Sequence, residues 1–125
     1  GHGELFTETV NRVSQSPVRD RILLINSINN PIPILNRCDC FVLSSDYEGF
    51  PMVFHEATIV GLPIISCADG SSKLFLKKYG GLVVDNSSAS ICDGMKHFTK
   101  KGISLMNIDY QEYNSKCICQ FKNLL

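Results

Sequence analysis

Cys40-Phe41-Val42-Leu43-Ser44-Ser45-Asp46-Tyr47-Glu48-Gly49-Phe50-Pro51-Met52-Val53-Phe54-His55-Glu56-Ala57 is the stretch that decides the fold. Its first four residues form a continuous apolar run without alternation, the pattern of a strand buried on both faces. A polar loop with Gly49 follows, then Pro51, which suits the first turn of a helix. The helix is expected from about Pro51 to Val60. Gly61 and then Pro63 stop it. Pro63-Ile64-Ile65-Ser66-Cys67 reads as a second buried strand. Strand, tight loop, helix, strand is the repeating unit of a parallel sheet.

The same alternation extends both ways. Upstream, Arg21-Ile22-Leu23-Leu24-Ile25-Asn26 is a short apolar run read as a buried strand, and Phe6, Val10 and Val13 mark one face of a helix. Pro31 and Pro33 open a short helix around Ile34-Leu35. Downstream, Asp69-Gly70-Ser71-Ser72 turns into a helix through Lys78. Gly80-Gly81 ends it before the strand Leu82-Val83-Val84. Asn86-Ser87-Ser88 can cap a helix whose core face is Ile91, Met95 and Phe98. A last helix from about Ile108 carries the stripe Tyr110, Tyr113, Cys117, Phe121 and Leu124, which needs a partner surface. The expected fold is α/β: a doubly wound, Rossmann-like parallel sheet, with residues 1–125 as one domain and 107–125 as its C-terminal helix.

Composition agrees with one globular core. Hydrophobic residues are 44% and charged residues 19% of 125, and no low-complexity segment interrupts them. Twelve basic and twelve acidic residues cancel, so nothing in the overall field calls for nucleic acid or an anionic membrane. No apolar run approaches the ~18 residues of a transmembrane helix, and the first residues lack the pattern of a signal peptide. Cys38, Cys40 and Cys67 lie in or beside apolar runs and read as buried hydrophobes. Cys117 and Cys119 are two apart on a helix and point to different sides. Reduced cysteines of this kind imply a reducing compartment, hence a cytoplasmic location.

Open parallel sheets bind ligands at the carboxyl ends of their strands, and the loop 44–51 sits at such an end. The first amides of the following helix have no partner within it and carry the positive end of its dipole, so a diphosphate is a natural guest. Pro51 lacks an N–H, which makes Met52 and Val53 the donors. Glu48 in the loop can accept hydrogen bonds from ligand hydroxyls. Glu56, eight positions on, lies on the order of 10 Å away along the helix. That separation matches a sugar, a diphosphate and a ribose in line. Spacing alone leaves a second account open, in which both acids are solvent-facing residues near a helix start.

Glu48-x7-Glu56 resembles the E-x7-E motif of the group 1 (family four) retaining glycosyltransferases. The string from Ser44 through Ser66 is similar to that family along its whole length. The strand Cys38-Asp39-Cys40-Phe41-Val42-Leu43-Ser44-Ser45 resembles its A-D-hydrophobic strand. Gly1-His2-Gly3-Glu4 resembles its G-x-G-P turn, and Gly80-Gly81-Leu82-Val83-Val84 its G-x-L-V strand. The resemblance spans roughly residues 1–101. It implies the C-terminal half of a two-domain GT-B enzyme, truncated at its N-terminal edge.

By that resemblance Glu48 is the catalytic-side acid on the donor sugar. The backbone from Gly49 through Phe50, Pro51, Met52 and Val53 holds sugar and diphosphate, and Glu56 holds the ribose. Ser27 and Ile28 lie near the base. The donor is a UDP-sugar or GDP-sugar, with no metal and no separate cofactor: the helix start and basic residues upstream of this chain offset the diphosphate charge. The D-x-E spacing of Asp46 and Glu48 gives the competing metal reading. The implied partner is an acceptor-binding N-terminal domain, reached by the last helix. The implied enzyme transfers a hexosyl group to a hydroxyl in polysaccharide synthesis, in the cytoplasm or peripherally at its membrane, and the chain alone is inactive. Two alternatives stand beside it, a nucleotide-sugar 2-epimerase of the same architecture and a non-catalytic flavodoxin-like module. His55 reads as a packing or solvent-facing residue.

Overall fold

The computed structural model describes residues 3–45, 52–67 and 70–122, with Ser71 and Phe121 described by backbone only. The chain divides into two compact units, Gly1–Pro31 and Ile32–Leu125.

The first unit holds helix α1, Phe6–Ser14, and a single 3-10 turn at Arg19–Arg21. No residue of α1 is buried. The apolar run after the turn differs from its expectation. Residues 22–25 belong to no strand, and Leu23 is 80% exposed. Ile22 has extended backbone angles, yet a strand exists only where a neighbour completes its hydrogen-bond ladder. Apolar sequence supplies the conformation and not the partner.

The second unit carries the α/β layers. Its elements are α2 (Ile32–Leu35), β1 (Phe41–Leu43), α3 (Met52–Ile59), β2 (Ile64–Ser66), α4 (Gly70–Tyr79), β3 (Leu82–Val83), α5 (Ser88–Lys101) and α6 (Tyr110–Lys122). The strands form a parallel sheet in the order β1-β2-β3, with Leu43 opposite Ser66 and Ser66 opposite Val83. Successive side chains on the central strand point to opposite faces. Ile64 joins Phe54, Ala57, Leu62, Phe75 and Leu76 under α3 and α4. Ile65 faces α5, where a Cβ added to Gly94 would come within 3.3 Å of it and 2.9 Å of Val84. Gly94 is thus the point at which α5 lies closest to the sheet. Both isoleucines are fully buried, and the sheet is covered on both sides.

Chain stops are local and legible. The Leu62 amide donates to Ala57 O at 2.9 Å and the Gly61 amide to Thr58 O at 3.1 Å, the paired closure that ends α3. Ser87 caps α5, its hydroxyl accepting from the Ser90 amide at 3.1 Å. Gly80, at φ +92°, pairs with Leu105, and a Cβ there would meet Ser104 O at 2.6 Å. That contact anchors the segment leading to α6.

Two sequence expectations shift. The inward face of α5 runs through Ile91, Gly94 and Phe98, and Met95 is exposed. The last helix begins at Tyr110, because the Asp109 carboxylate accepts from the amides of Gln111 and Glu112 at 2.9 and 3.0 Å. Among the described residues no helix is long and apolar enough to cross a membrane.

Candidate functional site

Because the strands run parallel, their carboxyl ends share one edge of the sheet. Ser44 and Ser45 follow β1 there, Cys67 follows β2, and Val84 and Asp85 follow β3. The helix after β1 must return to the other edge before β2 starts. Its N-terminus, at Met52 among the described residues, therefore lies on the carboxyl side. The first-turn amides of α3 have no acceptor within the helix.

Burial then fixes which way α3 faces. Phe54, His55 and Ala57 are buried. Met52 is 66% exposed. Glu56, one turn after Met52, falls on the same side of the helix and is half-buried. No cation among the described residues pairs with its carboxylate. Val53 is half-buried and packs against the core. Of the sequence-identified residues, α3 thus brings together Met52, Val53 and Glu56. Glu48, Gly49, Phe50 and Pro51 lie outside the described residues, as does Asp46 of the D-x-E pattern. Ser27 and Ile28 are exposed residues of the unit Gly1–Pro31. Among the described residues no cluster of three metal-ligating side chains occurs.

His55 is a packing residue. Its ring lies 5.0 Å from that of Phe75, 5.3 Å from Tyr113 and 6.0 Å from Tyr110. Burial pushes its pKa down. The Tyr110 hydroxyl donates to the His55 carbonyl oxygen at 3.2 Å and is hydrogen-bonded to the Thr58 hydroxyl. Thr58 Oγ1 lies 2.9 Å from Phe54 O. Burial raises the Tyr110 pKa, so its proton stays available for these bonds. Sequence reasoning foresaw an apolar stripe on α6 needing a surface. It did not foresee that Tyr110 and Tyr113 would find that surface on α3 and α4.

Several polar groups near the carboxyl edge also went unread. The hydroxyls of Ser66, at the end of β2, and Ser72, in the first turn of α4, are buried without a hydrogen-bond partner among the described residues. In sequence they are only small polar residues, one closing an apolar run and the other two positions after Gly70. The Cys67 thiol donates to Asp85 O at 3.6 Å, tying the ends of β2 and β3 together. Of the three cysteines read as buried, Cys67 is buried, Cys40 half-buried and Cys38 exposed. The Cys38 thiol reaches back to Ile34 O at 3.4 Å at the end of α2. Cys40 has a raised pKa, from burial first and the Asp39 charge second.

Two grooves have similar size. One of about 340 Å³ runs between β3 and α5 and is lined by Asp85, Asp93 and His97 among others. It follows from β3 being an edge strand. The other, about 330 Å³, lies between α3 and α6 and is lined by Met52, His55, Ile59, Tyr110, Tyr113 and Asn114. The second borders the helix that carries Glu56.

The sequence model of the family described as "Glycosyl transferases group 1" matches residues 1–115. The Vi polysaccharide biosynthesis protein VipC/TviE of Salmonella typhi is 32% identical over 106 residues, 84% of this chain and 18% of that protein. The UDP-Gal:alpha-D-GlcNAc-diphosphoundecaprenol alpha-1,3-galactosyltransferase of Escherichia coli is 33% identical over 87 residues, 68% of this chain and 22% of its own length. A Campylobacter jejuni enzyme, N-acetylgalactosamine-N,N'-diacetylbacillosaminyl-diphospho-undecaprenol 4-alpha-N-acetylgalactosaminyltransferase, is 28% identical over 100 residues, 77% of this chain and 27% of its own. The chain therefore spans about a fifth to a quarter of the curated relatives it matches. The match along 115 of 125 residues, on a parallel α/β sheet, shows that this chain belongs to the group 1 glycosyltransferases.

Proposed function

We propose that this chain supplies the donor site of a glycosyltransferase that moves a sugar from a nucleoside diphosphate to a hydroxyl, with retention. The observation that carries the reading is Glu56: half-buried, turned away from the core, without a cation among the described residues, on the helix that starts at the carboxyl edge of the sheet. In the reading, the ribose diol donates to Glu56. The amides at Met52 and Val53 face the diphosphate, and Glu48 takes the sugar hydroxyls.

The chemistry follows from charge. The acceptor oxygen bonds to the anomeric carbon while the bond from that carbon to the diphosphate oxygen breaks, and the diphosphate leaves with the electron pair. Attack from the leaving group's own face gives retention and lets a departing oxygen take the acceptor proton. The helix N-terminus offsets the charge that develops, without a metal. UDP or GDP is the carrier; the name of the Escherichia coli relative specifies a UDP donor. Relatives named for polysaccharide and lipid-linked sugar synthesis support an acceptor of that type. That acceptor sits on a further domain of the protein, reached by the α6 end of the chain, in the cytoplasm or at its membrane face. The chain by itself transfers no sugar.

Calorimetric titration of UDP and GDP into the chain tests this. One of the two is expected to bind saturably. Glu56→Gln is expected to weaken it about 10-fold or more, the loss of a charge-assisted hydrogen bond. Indifference to both nucleotides, or a Glu56→Gln chain that binds like the wild type, overturns the reading.

A further inference from the structure

We infer that Tyr110 is a positioning residue for the donor site, acting through the hydrogen bonds by which it holds the α3 turn that carries Glu56. The inference rests on the donor-site reading above and adds the device that sets Glu56 in place.

Helix α3 is only eight residues long, about 12 Å at ~1.5 Å per residue. So short a helix owes its orientation to what it packs against rather than to its own propensity. Phe54 and Ala57 fix the side facing the sheet. The opposite constraint comes from α6. The Tyr110 hydroxyl holds the carbonyl of His55, which belongs to the peptide unit shared with Glu56, and it also holds the Thr58 hydroxyl two residues beyond. The His55 side chain is wedged among Phe75, Tyr110 and Tyr113. Residues on either side of Glu56 are thus fixed from α6, while Glu56 itself stays turned out.

The leverage is geometric. A helix with side chains has a radius of about 5–6 Å, so a rotation of about 10° moves an outward carboxylate by about 1 Å. Errors of that size matter where a ligand must be held in line across several contacts. A single hydroxyl on α6 therefore tunes affinity at a carboxylate it does not touch.

The conservative variant separates this role from a structural one. Tyr110→Phe keeps the ring that packs on His55 and Tyr113. Thr58 retains the Phe54 carbonyl as its acceptor, so no buried hydroxyl is stranded and the variant folds. Thr58→Val removes only the bond between the two hydroxyls and leaves the Tyr110 hydroxyl on the His55 carbonyl. Each variant is titrated with UDP and GDP at a temperature where circular dichroism shows it fully folded. Hydrogen exchange at the Glu56 to Ile59 amides gives a readout that needs no nucleotide.

Tyr110→Phe is expected to raise the nucleotide Kd about 3- to 10-fold and Thr58→Val by no more than that, the range of a neutral hydrogen bond. Exchange in α3 should rise while α5 stays unchanged. The double variant should be no worse than Tyr110→Phe alone, since Tyr110→Phe already deletes both bonds of the hydroxyl. If wild type binds and Glu56→Gln abolishes binding, but Tyr110→Phe binds as wild type, the positioning role is overturned and the donor site stands. If wild type binds neither UDP nor GDP, the donor reading fails and this inference fails with it, whatever the exchange rates show.

Discussion

Helices α1 and α3 are nearly equal in length, nine residues against eight, and they have opposite fates. Phe6, Val10 and Val13 put a regular apolar stripe on α1, with Glu8 and Arg12 on its polar side. Nothing on α1 is buried. In α3 the apolar residues Met52, Val53, Phe54, Ala57 and Ile59 run around the whole circumference, and three of its residues are buried. An amphipathic pattern says which side of a helix would face a core. A helix apolar all round says that it is surrounded. Here the blurred pattern, not the clean one, marks the helix that packs into the core of its own unit, with Met52 and Ile59 left exposed, and it is also the helix that carries the candidate site.

The comparison is broken most forcefully at Phe54. Its ring is fully buried and meets Phe41 at 6.5 Å and Phe75 at 5.5 Å. Phe54→Ala should cost about 3–5 kcal/mol in urea unfolding, through lost transfer free energy and the cavity left behind. A cost under about 1 kcal/mol would mean that α3 is no more integral to the core than α1.

A subtler probe of the same helix is pH. His55 has a pKa pushed below its usual value of about 6.5 by burial. As pH falls through about 6.5 the unfolded chain takes the proton first, so stability declines from there down to the lowered native pKa. Above about 6.5 both states are neutral at this residue and it adds no pH dependence. Among the described residues, the rings that meet it from α4 and α6 are those of Phe75, Tyr110 and Tyr113. The urea midpoint of wild type should therefore drop between about pH 7.5 and about pH 5.5 by more than that of His55→Phe. Equal drops would place the histidine in water.

What could be read from sequence follows the same division. Pro31 and Pro33, Gly61, the Ser87 cap and the strands at 41–43, 64–66 and 82–83 were legible because each rests on local chemistry: fixed φ, a missing Cβ, a short hydroxyl or a dense apolar run, although of the three strands only 64–66 is buried throughout. The run at 22–25 misled because strand identity depends on a neighbour that no window of sequence contains. Met95 was misplaced because Gly94 offers no side chain to mark the true contact line of α5 on the sheet. Glu56 and Met52 were singled out by motif and spacing, and both lie on α3. The Thr58–Tyr110 bond was not, since it joins residues 52 positions apart and neither carries a signal of its own. Glu48 and the loop to Pro51 lie outside the described residues.

The smallest expected effect returns to α1. Arg12 and Glu8 form an ion pair of 2.7 Å one turn apart, with side chains 80% and 54% exposed. The acid precedes the base, the favourable order relative to the helix dipole. Even so, both charges keep most of their water, and holding two long side chains together costs entropy. Glu8→Gln should lower stability by only about 0.3–0.5 kcal/mol, and the difference should shrink as salt is raised toward 1 M, where the Debye length is about 3 Å. The same change would be far larger if the stripe of α1 were packed as α3 is, because a lost charge pair would then loosen buried contacts as well. A loss above about 1 kcal/mol that persists in high salt would therefore erase the contrast between the two helices and place α1 in a core.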